Sequence, residues 1–183
     1  NRVNIYKTFS ENADSYASVA LINSMKYMGS SRYDEYFEKF FSKNDTMVNT
    51  SLARSIDLFN DDKKMQQKWI DKLLEYKDEN VDAGLAEAIP FINEDLKKPL
   101  FKKLVNTKDR VTKEFLAENI TSIPGYKQDI DMIKELLNGA DNMIRGSLAN
   151  TIKKMPTGMT KSTWTKMVLD GADNSIKAAL LGE

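Results

Sequence analysis

The chain has 183 residues, 41% apolar and 30% charged, enough to bury a sizeable core as one domain. Its 27 basic residues balance its 27 acidic ones, which leaves no global field to hold nucleic acid or an anionic membrane. Cysteine and histidine are both absent, which excludes disulfides, thiolate nucleophiles, sulfur-bound zinc and Ser-His or Cys-His catalytic pairs.

A twelve-residue phrase that opens with Asp and carries Leu seven residues later returns six times along the chain. Its copies begin at Asp14, Asp45, Asp78, Asp109, Asp141 and Asp173, with Leu21, Leu52, Leu85, Leu116, Leu148 and Leu180. The spacings of 31, 33, 31, 32 and 32 residues are those of helical repeat arrays, whose units must stack to bury their apolar faces. Units are expected near 1–30, 31–60, 61–93, 94–124, 125–156 and 157–183 of a single repeat domain. With Asn1 preceded by no charged-then-apolar leader, and the last phrase expected to stop mid-helix, the chain reads as a fragment of a longer protein.

The first quarter of the chain crowds Tyr6, Phe9, Tyr16, Tyr27, Tyr33, Tyr36, Phe37, Phe40 and Phe41, rings that either fill the core of the first two units or form a docking patch. In each phrase the opening Asp is expected to cap a helix. Asn44, Asn106, Gly139 and Gly171 just upstream are expected to stop the preceding one. Counting from Asp as step zero, apolar residues fall at steps three, seven, eight, eleven and fourteen. They are Val48, Leu52, Ala53, Ile56 and Phe59 in the second copy, and Val81, Leu85, Ala86, Ile89 and Ile92 in the third. The fifth copy carries Ile144, Leu148, Ala149, Ile152 and Met155, and the fourth places Thr112 at the first slot. This is one stripe at the helical period.

Between the phrases runs a second helix, marked by Trp69, Leu73 and Leu74, by Leu100, Leu104 and Val105, by Met132, Leu136 and Leu137, and by Trp164, Val168 and Leu169. Trp69 and Trp164 share one repeat position with Tyr36, Leu100 and Met132, so both are expected in the core and not on a ligand. Pro124 and Pro156, each closely followed by Gly, end the phrase helices. The basic run Lys97, Lys98, Lys102 and Lys103 is expected on a solvated outer face, and the glycosylation-like triplets at Asn44, Asn49 and Asn119 are read as chance.

These phrases resemble HEAT repeats, whose second helix reads Asp-x-x-Val-Arg-x-x-Leu-Ala-x-x-Ile; Asp141, Ile144, Arg145, Leu148, Ala149 and Ile152 carry the match. The resemblance implies an all-α fold, a right-handed α-α superhelix of about five to six helical hairpins, with the phrase helices on its concave side. The basic residue at step four occurs only as Lys113, Arg145 and Lys177, against Ser18, Asn49 and Asp82 earlier, so a continuous Asp-Arg ladder is not expected in the N-terminal half.

Asn49, Asp82, Lys113 and Arg145 at step four, with Arg54, Glu87, Glu118 and Asn150 at step nine, are the expected concave binding surface. Asp82, Glu87 and Glu118 would form its acidic centre. The expected function is a non-catalytic scaffold for a protein or peptide, with no cofactor, no metal, no catalytic residue and no membrane span. The alternatives are an accessory HEAT-like domain of a larger enzyme such as a zinc aminopeptidase, packed on an upstream domain of the same polypeptide, and a HEAT-like DNA-repair glycosylase. Nucleic acid is the disfavoured partner.

Overall fold

The computed structural model describes residues 10–29 and 32–182, so Tyr6 and Phe9 lie outside the described residues. Among the described residues all regular structure is helical. In chain order the helices are α1 (Ser15–Ser24), α2 (Tyr33–Phe41), α3 (Thr46–Arg54), α4 (Lys63–Glu75), α5 (Glu79–Ala88), α6 (Glu94–Leu104), α7 (Arg110–Asn119), α8 (Ile130–Leu137), α9 (Asn142–Lys154), α10 (Met159–Leu169) and α11 (Asn174–Leu181). The odd-numbered helices are the phrases.

All six opening Asp residues are N-caps. Each side chain accepts the amide three residues on, at 2.8 Å for Asp14 to Ala17, 3.0 Å for Asp45 to Val48 and 2.6 Å for Asp109 to Thr112, and likewise for Asp78, Asp141 and Asp173. The amides so satisfied would otherwise be orphans of the first turn. Asn44, Gly139 and Gly171 take the left-handed conformation at φ of 52°, 69° and 78°. Asn106 does not, and before the third phrase Lys77 turns left-handed instead, at φ 56°. α11 ends at Leu181, with Gly182 left-handed at φ 78° and its amide bonded to Ala178 O.

The stripe is the core. Val48, Leu52, Ala53, Ile56, Phe59, Val81, Leu85, Ala86, Ile89, Ile92, Ile144, Leu148, Ala149, Ile152 and Met155 are all buried, and Thr112 is buried in the fourth copy. Step eleven falls in 3-10 turns that prolong α3, α5 and α7 over Ile56–Phe59, Ile89–Phe91 and Ile120–Ser122. Step fourteen is Phe59 in the first of these and the residue just after the turn, Ile92 or Ile123, in the other two. Each phrase helix packs on the phrase helix of the next unit, from α1 through α11, as well as on the even-numbered helices beside it. Small residues permit this approach. A Cβ on Gly84 would lie 3.0 Å from Thr50 O and 3.1 Å from the Ala53 Cβ, so α5 meets α3 at nearly the closest distance two backbones allow.

The even helices are joined differently, by long ionic side chains. Lys68 reaches Asp34 at 2.7 Å and Glu38 at 3.2 Å, and Lys72 pairs with Glu38, all between α4 and α2. Lys103 reaches Asp71 at 2.7 Å between α6 and α4, and Lys98 reaches Asp129 at 2.7 Å beside α8. Exposed pairs of this kind contribute little each, so stacking rests on the phrase layer and on the buried Trp69 between α4 and α2. Lys97 departs from the expected solvated face: it is only 6% exposed, with its ammonium 3.1 Å from Glu94.

Trp69 and Trp164 are both buried, as are Tyr36, Leu100 and Met132 at the same repeat position. Trp69 Nε1 donates to Asp34 Oδ1 at 2.7 Å, and its ring meets Phe37 and Phe41 edge-on at 5.1 and 5.9 Å. Burial pushes the Asp34 carboxyl up, but the hydrogen bonds from Lys68 and Trp69 outweigh it and hold the group below its ordinary value. Tyr33, Tyr36, Phe37 and Phe40 fill the core, whereas Tyr16 and Tyr27 stand exposed.

Candidate binding face

Steps four and nine do not share one face. Five residues advance a helix by about 500°, which leaves the two steps about 140° apart, and the stripe at steps seven, eight and eleven brackets step four. Ser18 and Asn49 are accordingly 0% exposed, so Asn49 is not a surface residue, contrary to expectation. Neither its Oδ1 nor its Nδ2 has a hydrogen-bond partner among the described residues.

The remaining step-four residues point to the carbonyl end of the next even helix. Arg145 Nη1 donates to Val168 O at 3.1 Å and Asp170 O at 2.6 Å, with Nη2 packed where a Cβ on Gly171 would lie 3.2 Å away. Lys113 Nζ donates to Asn138 O at 3.1 Å after α8. A cation there meets the negative end of the helix dipole. Lys113 and Arg145 are thus inter-unit ties, not groove residues.

Asp82 occupies the same step without that complement. It lines a depression of about 530 Å³ with Leu74, Glu75, Glu79 and Leu104. Burial, followed by the neighbouring carboxylates Asp109, Asp78 and Glu79, pushes its carboxyl up to about 6. A raised folded-state value means the folded chain holds this proton more tightly than the unfolded chain. Its destabilising effect is therefore absent below pH 3.8, grows as pH rises to about 6 and is constant above. Asp82→Asn is expected to raise stability at pH 7 by about 1 kcal/mol, a value reduced for partial solvent screening, and to leave it unchanged near pH 3. Urea midpoints of both chains across pH 3 to 8 check this.

Step nine lies opposite the core. Arg54 Nε bonds Glu87 Oε2 at 2.6 Å across two units, and Asn23 accepts from Ser51 Oγ at 3.4 Å. Glu118 and Asn150 line a depression of about 600 Å³ with Asn119, Tyr126, Thr151 and Lys154. Of the eight expected surface residues, the structure brings Arg54, Glu87, Glu118 and Asn150 onto one face. It places Asn49, Asp82, Lys113 and Arg145 elsewhere, and the expected acidic centre loses Asp82 for this reason.

Two features escaped the sequence reading. At step one, Ser15 Oγ donates to Asp45 Oδ2 at 2.7 Å and Thr46 Oγ1 to Asp78 Oδ2 at 2.9 Å, so hydroxyls link successive caps in the units that lack the step-four cation. The Ser15 and Val48 donors hold the Asp45 carboxyl below its ordinary value. At step two, Tyr16, Met47, Val111 and Met143 are all exposed, from 39% for Met47 to 78% for Tyr16. Tyr27 and Phe91 at step thirteen, on the far rim of the same helices, are exposed as well. The phrase layer thus turns outward a polar middle between apolar rims.

No helix among the described residues is long and apolar enough to cross a membrane, and none of their carboxylate groups cluster to hold a metal. The chain matches no family model, no curated protein and no solved structure.

Proposed function

We propose that this chain is a HEAT-type helical repeat scaffold, coiled as a right-handed α-α superhelix, that binds a protein or peptide along the outward face of its phrase helices. The carrying observation is the row of exposed apolar side chains at step two, in register in four of six copies and opposite the core. Apolar residues left in water in register mark a recognition surface. Curvature toward that face is supported by the close contact at Gly84 on the phrase side. Glu79, Glu87 and Glu118 around the face count against a phosphate backbone as ligand and so against the glycosylase reading.

The test is capture from a cell lysate by the whole chain and by a Val111→Asp, Met143→Asp double variant. Both sites are exposed, so helicity and melting temperature are expected to be unchanged while partner recovery falls at least about tenfold. Equal recovery by both chains would remove this face as the binding surface.

A further inference from the structure

At about 100° per residue, steps three, six and ten of a phrase helix turn toward the preceding phrase helix, and steps one, five and eight toward the next. The internal junctions follow this rule. Step ten reaches back to the step-eight carbonyl, as Asn119 Nδ2 does to Ala86 O at 3.1 Å and Thr151 Oγ1 to Ala117 O at 3.1 Å. At step six, Gly84 lies close against Thr50 and Ala53, steps five and eight of α3. At each end of the stack one such flank is uncovered. Ala17 and Ala20, steps three and six of α1, are exposed, and so is Leu181, step eight of α11, at 57%.

These two flanks are poorly suited to water and well suited to each other. Terminal repeats that face solvent carry polar outer surfaces, yet α1 has no charged residue and α11 only Lys177, against three or four in each of α5, α7 and α9. Side-chain size is reversed relative to the internal junctions. From α3 onward the step-eight residue is Ala53, Ala86, Ala117 or Ala149, and the step-three residue of the next helix is Val81, Thr112, Ile144 or Ile176, all buried. The end flanks offer Leu181 at step eight and Ala17 at step three, the large residue now on the other side. Leucine with alanine occupies the volume of isoleucine with alanine, so the pair fills a junction as Ala149 and Ile176 do.

The polar register agrees. Lys113 and Arg145, at step four, donate to the carbonyl end of the even helix in the next unit. Lys177 is the exposed step-four residue of α11. The matching carbonyl end, on a second copy, belongs to the helix that closes at Asn12, just before the first cap Asp14.

We infer that the open flank of α11 docks on the open flank of α1 in a second copy of this chain, with Leu181 seated on Ala17 and Ala20 and Lys177 at the carbonyl end before Asp14. The contact continues the phrase stack from one molecule into the next. Its two sides differ, so it is head-to-tail and passes on to a third copy. One helix flank is a small interface, and the association is accordingly weak, with a Kd between about 10 μM and about 1 mM.

Sedimentation equilibrium of the whole chain, loaded across that same range of about 10 μM to about 1 mM, is the test. The average mass is expected to rise with concentration without levelling off at a dimer. Ala20→Arg blocks the α1 flank and Leu181→Arg the α11 flank. Both positions are exposed, so helicity and melting temperature are expected to be unchanged while each variant alone stays monomeric. An equimolar mixture of the two variants is expected to form a dimer and stop there, because the first keeps its α11 flank, the second keeps its α1 flank, and the arginines close the outer ends. Lys177→Gln is expected to weaken the association of the otherwise unaltered chain by about two- to fivefold, and an unchanged association overturns the part assigned to this lysine. A chain that stays monomeric throughout overturns the proposal, as does assembly that survives both arginine variants or a mixture that remains monomeric.

Discussion

Trp69→Ala is expected to cost about 3–5 kcal/mol of folding free energy, the range for removing a large buried aromatic. The indole is 0% exposed and touches Phe37 and Phe41 in the preceding unit, and its N–H donates to Asp34 at 2.7 Å. Removing it opens a cavity between α4 and α2 and takes one of the donors from a carboxylate that already pairs with Lys68. Since repeat arrays are stabilised by contacts between neighbouring units, the loss falls on the junction as well as on the unit. Trp69→Phe keeps the ring and loses the hydrogen bond, and is expected to cost about 1–2 kcal/mol. Urea unfolding followed by circular dichroism measures both. A loss below about 1 kcal/mol for the alanine variant would mean that the aromatic junction does not hold the units together.

The second large effect runs the other way. Asn49→Leu is expected to stabilise the chain by about 1–3 kcal/mol. Asn49 is 0% exposed with both polar atoms of its side chain unpaired, so folding removes them from water without compensation. Leucine has the same number of side-chain heavy atoms and fits a slot bordered by the phrase stripe. A destabilised Asn49→Leu chain would show that the amide is satisfied in solution or that the slot does not accept the wider methyl groups.

The phrase was legible because it combines two independent periods, about 32 residues between copies and 3.6 within each. Every stripe position from Val48 to Met155 is accordingly buried, and every opening Asp is a cap. The outward face of the phrase helices was only half legible, and the error has a simple origin. Step nine is opposite the stripe, but step four is next to it, and treating both as one edge ignored that five residues rotate a helix past its flank. The same arithmetic applied to step two would have placed Tyr16, Met47, Val111 and Met143 outside, since two residues advance the helix by about 200°. An apolar residue is ordinarily read as core, so Met47, Val111 and Met143 escape notice, and Tyr16 is noticed only as one of the crowded N-terminal rings. The Ser15–Asp45 and Thr46–Asp78 links were beyond sequence reasoning of this kind, because they depend on how two units approach.

The most direct measurement is amide chemical-shift mapping of the uniformly labelled chain with a peptide selected against it from an unbiased display library. The account predicts that the shifts cluster on Met47, Arg54, Glu87, Val111, Glu118, Met143 and Asn150, the outward face of successive phrase helices. Shifts confined to the even helices around Lys68 and Lys98 would contradict it.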